Sequence, residues 1–310
     1  MMVVETLPVN GIDICVETFG EPADPALLLI AGGASSMDWW EDEFCRRLAA
    51  GGRHVIRYDH RDTGRSTAFP PGAPPYSGAD LAHDALGVLD GLGIHRAHVV
   101  GLSMGGALAQ RIAVERPHRV LSLTLMSTTA ISGADLDGDA ASAAPEAIHD
   151  DPPAPEATAA ALPPAEGTAP GDLTAPDWSD RKSAVRRMIK DIKDLGGLFT
   201  ADEAHLRRLA ERVYDRTEDM AATQQNHWLC PAGPPTRKPL CGISAPTLIL
   251  HGTADPMFGA EHAHALAAEI PGSRLVWLEG VGHEFPPAAV WQQVIDEIIG
   301  HEPVRGRQPA

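Results

Sequence analysis

The tightest constraint in this chain is the pentapeptide Gly101-Leu102-Ser103-Met104-Gly105, which follows an apolar run over residues 98–102 and opens a helical pattern over 105–115. A serine placed there sits on a sharp strand-to-helix turn, with its hydroxyl at the end of a sheet. A side chain at either flanking position would meet the neighbouring strand or helix, which accounts for glycine at 101 and 105. A chain built around such a turn must bring a buried strand and a covering helix together.

The rest of the chain agrees with that demand. Residues 3–7 and 12–19 flank Asn10-Gly11, a turn pair that favours a β-hairpin. The short apolar runs 26–31, 54–58, 98–102 and 120–126 read as strands. They are separated by helical patterns over 39–50, 80–92 and 105–115. After a long interruption the alternation resumes, with strands over 246–250 and 274–278 and helices over 261–269 and 288–299. Strands alternating with helices predict an α/β fold: a mostly parallel sheet with helices on both faces and antiparallel strands at one edge.

The interruption divides the chain into a core of residues 1–131 and 243–310 and a helical cap of residues 132–242. The first part of the cap, 133–177, holds ten Asp or Glu, no Lys or Arg, and eight of the 27 prolines. Such a segment buries little apolar surface, so a flexible acidic linker is expected. Beyond it, Val185, Met188, Ile189, Ile192 and Leu195 form one apolar stripe that stops at Gly196-Gly197. Thr200 with Glu203 fits a capping box for a further helix through Tyr214.

The formal charge of −17 disfavours nucleic acid and anionic membrane surfaces as partners. No apolar stretch approaches the length of a membrane span, and the first ten residues do not resemble a secretory signal. A cytoplasmic protein with four reduced thiols is expected, although spacing leaves a Cys230–Cys241 bridge open.

A serine hydroxyl needs a base. His283, in Gly280-Val281-Gly282-His283, follows the strand 274–278 and can reach the active edge of the sheet. The imidazole needs a carboxylate to hold its tautomer. Asp255 follows the strand 246–250, whereas the other strand end that could carry an acid offers only Ser127, Thr128 and Thr129. Backbone amides of Met104 and Gly33, with Gly32 as the fallback, are the candidates for an oxyanion hole. The polar loop from Asp59 to Ser66 is expected to buttress the serine turn through Asp and Arg pairing, and Glu284 to be solvated. Trp39 and Trp228, with Trp40 and His227, are candidates to line a substrate pocket or to pack in the core. No His pattern suits a metal, and no cofactor is expected.

Residues 28–34, 57–66 and 99–105 together resemble the α/β-hydrolase superfamily, in which the order Ser103, Asp255, His283 is the usual one. Within it they look like the aclacinomycin methylesterases of anthracycline biosynthesis. The likeness is close over residues 22–125 and weaker over 245–286, and the cap does not match well. It implies hydrolysis of a carboxylic methyl ester on a polyketide glycoside, without metal or organic cofactor. Ala31 stands where many superfamily members carry histidine, which leaves a backbone donor intact. The same three residues could serve lactone, C–C bond or peracid chemistry, and a ligand receptor that kept the fold is a further alternative. Haloalkane dehalogenase and epoxide hydrolase are disfavoured, because both need a carboxylate where Ser103 stands.

Overall fold

The computed structural model describes residues 2–131, 176–236 and 238–301. The expected flexible linker 133–177 falls outside these residues except for Pro176 and Asp177. Eight strands form one sheet: β1 (Met2–Val9), β2 (Ile12–Phe19), β3 (Ala26–Ile30), β4 (His54–Tyr58), β5 (Ala97–Leu102), β6 (Val120–Met126), β7 (Thr247–Gly252) and β8 (Arg274–Leu278). Their order is β1-β2-β4-β3-β5-β6-β7-β8. β1 and β2 run antiparallel, β2 meets β4 antiparallel, and every later pairing is parallel. The opening hairpin turns through Asn10 at φ 48° and Gly11 at φ 82°, the two left-handed residues that a type I′ turn requires.

Strands β3, β4, β5 and β7 are buried along their whole length, and alternate residues feed two separate cores. On one side Leu28 and Ile30 of β3 pack with α2 (Gly78–Gly91), α3 (Met104–Glu115) and α7 (Ala260–Glu269). On the other side Leu27 and Leu29 pack with α1 (Asp42–Ala50) and α8 (Trp291–Gly300). α1 starts three residues later than periodicity suggested, because residues 37–39 form a separate 3-10 turn.

Between β6 and β7 the chain builds α4 (Arg181–Leu195), α5 (Glu203–Arg216) and α6 (Met220–Leu229). These helices have an apolar cluster of their own, made of Ala184, Val185, Met188, Ile189, Leu206, Ala210, Val213 and Met220. Of the apolar stripe expected on α4, Val185, Met188 and Ile189 enter this cluster and Ile192 packs against it, whereas Leu195 does not belong to it; α6 has no clear periodic signal. The capping expectation at Thr200 is corrected: Asp202 caps α5 by accepting from the His205 amide at 2.8 Å. Thr200 instead binds Glu284 and Gly197.

Ion pairs fasten α5 to the sheet. Arg216 meets Asp38 at 2.6 Å and Asp59 at 2.5 Å, and both carboxylates are fully buried. Arg212 lies 2.8 Å from Asp38. Asp59 also accepts from the amides of Met37 and Arg65. The loop 59–66 therefore pairs outward, Asp59 with Arg216 and Arg61 with Asp84, and not with the serine turn. The four cysteines, Cys15, Cys45, Cys230 and Cys241, are free thiols. Among the described residues no helix is long and apolar enough to cross a membrane.

Candidate active site

Ser103 lies between β5 and α3 with φ 53° and ψ −119°, a left-handed conformation that a residue with a Cβ adopts only under strain. Three contacts over-determine it. The Ser103 amide donates to the Met126 carbonyl at 2.9 Å, and the Gly106 amide donates to the Ser103 carbonyl at 2.9 Å. The Thr128 hydroxyl donates to the same carbonyl at 2.8 Å. Glycine is obligatory on both sides. A Cβ at Gly101 would fall 2.2 Å from the Gly105 carbonyl oxygen, and one at Gly105 would fall 2.3 Å from that of Ile30.

His283 reaches this serine from the loop after β8. Its Nε2 is 3.0 Å from Ser103 Oγ, and its Nδ1 is 2.9 Å from Asp255 Oδ2. With Nδ1 donating to the carboxylate, Nε2 is left as the acceptor for the serine hydroxyl. The other Asp255 oxygen accepts from the amides of Met257 and Phe258, each at 2.9 Å. Burial pushes the Asp255 carboxyl up. The bond and charge of His283 and the two amides outweigh it, so its net shift is below the usual carboxylate range. The edge of this group is closed by Phe258, whose ring centroid is 5.3 Å from that of His283.

The histidine loop is tied to the α4–α5 connection. The His283 amide donates to the Leu195 carbonyl at 2.7 Å, and Leu198 donates to Gly280 at 2.7 Å. Glu284, expected to be solvated, accepts from the Gly197 amide at 2.9 Å and from Thr200 Oγ1 at 3.0 Å. The sequence offered no sign of this, because the partners lie more than eighty residues apart.

Residues 31–34 pass beside the serine turn after β3. Among the described residues the amides of Gly33 and Met104 donate no backbone hydrogen bond, and Met104 opens its helix, where an amide has no partner within the helix. Gly32 lies against Leu102, 3.4 Å from a side-chain methyl where its own Cβ would be. The Trp228 ring covers Gly33, 3.1 Å from the position of a Cβ there. Trp39 is half-buried and stacks on Phe285 at 6.4 Å, against the cluster of α4 and α5. Trp40 is core, packed between Phe44 and Phe285. His227 is fully buried and uses both ring nitrogens, toward the Ala34 amide and the Arg61 carbonyl. Among the described residues no group of three His, Cys, Asp or Glu side chains could hold a metal ion.

His60 is a residue that sequence reasoning left without a role. It is completely buried, and its Nε2 donates to the Ala31 carbonyl at 3.1 Å. Burial, with the neighbouring His227, pushes its pKa from 6.5 down to about 3. The folded protein thus holds this imidazole neutral at a pH where the unfolded chain protonates it. The stability from this group is complete above pH 6.5 and is lost as the pH falls toward about 3. The slope is about 1.4 kcal/mol per pH unit, so acidification to about pH 5 should remove about 2 kcal/mol. Urea midpoints measured across that range test this, with His60→Gln expected to flatten the profile by about that amount. Identical profiles for the two proteins would show that His60 is not held neutral.

A family model described as alpha/beta hydrolase fold matches residues 25–286. Rhodomycin D methylesterase DnrP of Streptomyces peucetius is 38% identical over 291 residues, covering 92% of this chain and 93% of its own length. Rhodomycin D methylesterase DauP of a Streptomyces species is 38% identical with the same coverage. Among solved structures, an esterase RhEst1 from a Rhodococcus species superposes with TM-score 0.67 at 22% identity, covering 96% of this chain and 99% of that one.

Proposed function

The chain belongs to the α/β-hydrolase family and is a carboxylic ester hydrolase, and on that premise we propose that Ser103 is its nucleophile, His283 its general base and acid, and Asp255 the carboxylate that orients the imidazole. The observation that carries this reading is the single imidazole placed 3.0 Å from the serine oxygen and 2.9 Å from the carboxylate.

Ser103 Oγ attacks the ester carbonyl while His283 Nε2 takes its proton. The carbonyl oxygen becomes an alkoxide, held by the amides of Met104 and Gly33. The tetrahedral intermediate collapses, the C–O bond to the alcohol breaks, and His283 gives its proton to the leaving oxygen. Water enters, loses a proton to His283 and attacks the acyl-serine. The second collapse releases the acid, and Ser103 recovers its proton. Asp255 stays ionised throughout, which the depressed pKa of its carboxyl supports.

The two methylesterases, aligned over more than nine-tenths of both chains, support a methyl ester of a polyketide-type metabolite as the substrate. The Trp228 ring over Gly33 would give a flat acyl group an apolar surface beside the reacting carbonyl. The test is hydrolysis of an aromatic polyketide methyl ester in 18O-water. Equimolar acid and methanol are expected, with the label in the carboxylate. Label in the methanol would exclude an acyl-serine intermediate. A preference for long p-nitrophenyl esters over every aromatic methyl ester would exclude the substrate class.

A further inference from the structure

Residues 31–34 carry a strained position, and the local bond from the Ser35 hydroxyl to the Gly33 carbonyl at 3.1 Å leaves the Ala34 amide to be held from elsewhere. Ala34 has φ 55°, a left-handed conformation for a residue with a Cβ. A loop with such a residue keeps its shape only if its surroundings hold it.

Two histidines do so, one at each end. His60 donates from Nε2 to the Ala31 carbonyl at 3.1 Å. His227 accepts at Nδ1 from the Ala34 amide at 3.0 Å and donates from Nε2 to the Arg61 carbonyl at 2.9 Å. One neutral tautomer of His227 satisfies both bonds, and burial disfavours its protonation. The two rings meet edge to face, 5.6 Å apart. The next residue of the same helix, Trp228, lies on Gly33. The loop after β4 therefore holds one end of the loop, and α6 holds the other.

We propose that His227 is a positioning residue for the oxyanion loop, so that α6 fixes the Ala34 amide and, through the backbone dihedrals of Gly33, the preceding peptide that carries the Gly33 amide. The proposal rests on Gly33 being an oxyanion donor. Without an acceptor the half-buried Ala34 amide is left unpaired, and the strained φ of Ala34 relaxes by a backbone shift through Gly33 that also re-aims the peptide before it. A donor that swings away from the developing alkoxide weakens the transition state more than the bound ester.

Two substitutions separate the ring's two bonds. His227→Asn keeps an acceptor near the Nδ1 position, and His227→Gln keeps a donor near the Nε2 position. Turnover of p-nitrophenyl acetate, the inhibition constant of an aryl trifluoromethyl ketone and the Tm are measured for both. The ketone adds Ser103 Oγ to its carbonyl carbon and so presents an oxyanion to the loop. His227→Asn should retain kcat within about 3-fold, whereas His227→Gln should lower it about 10- to 100-fold with KM little changed. The ketone should weaken in the same ratio as kcat falls. Equal kcat in the two variants, or a kcat that follows Tm, overturns the proposal, as does a ketone affinity that His227→Gln leaves intact. Ser103→Ala, assayed beside them, reports separately on the reading of the site: wild-type turnover there would remove the serine mechanism itself, whatever the His227 variants do.

Discussion

Ser103→Ala is expected to lower kcat on a p-nitrophenyl ester by about 10^4- to 10^6-fold while leaving the Tm within a few degrees. The loss is large because the hydroxyl is the only atom of the residue that the imidazole addresses, at 3.0 Å. It is confined to chemistry because alanine keeps the Cβ. The left-handed φ of 53° is no worse for alanine than for serine, and the backbone bonds to Met126 and from Thr128 remain. Residual rate above the uncatalysed reaction would come from the amides of Gly33 and Met104, which the substitution leaves in place. A mutant that turns over at the wild-type rate would mean that another group attacks the ester.

Gly105→Ala should act through the fold, with a loss of more than about 4 kcal/mol and, in practice, insoluble protein. The added Cβ would lie 2.3 Å from the Ile30 carbonyl oxygen and 2.5 Å from that of Ala31. Neither can yield cheaply, because Ile30 ends β3, a strand hydrogen-bonded between β4 and β5. Relief would require lifting α3 from the sheet, which also moves the Met104 amide. Gly300→Ala is the control, since a Cβ there meets nothing within 4 Å. Urea unfolding should leave its midpoint unchanged. A Gly105→Ala protein that unfolds within about 1 kcal/mol of wild type would refute the close helix–strand approach.

The helices between β6 and β7 are coupled to the site by specific polar bonds as well as by packing. Arg216 spans Asp38 and Asp59, while Leu195 and Gly197 bond His283 and Glu284 directly. His227 adds a third attachment, at Ala34. The helices between β6 and β7 therefore touch the serine turn's neighbours on both sides. Displacing them as a hinged lid would break bonds to the loops that position the reacting groups. The loops beside the serine turn are in this way held by the segment between β6 and β7.

What the sequence by itself determined is local. Gly101 and Gly105 announce a turn because a Cβ is sterically forbidden there. The alternating runs announce strands and helices because burial follows a period of two or 3.6 residues. Ser103, Asp255 and His283 stand out because each follows a strand, in the order that the resemblance to the α/β-hydrolases implies. What only the tertiary structure decided is pairing across distance. Thr128 meets Ser103, Glu284 meets Gly197, Asp59 meets Arg216, and His227 meets Ala34 over 193 residues. A polar side chain carries no periodic signature of its partner. Whether it is solvated, as Glu284 was expected to be, or buried and bonded is settled by which backbone groups the fold leaves short of a hydrogen bond.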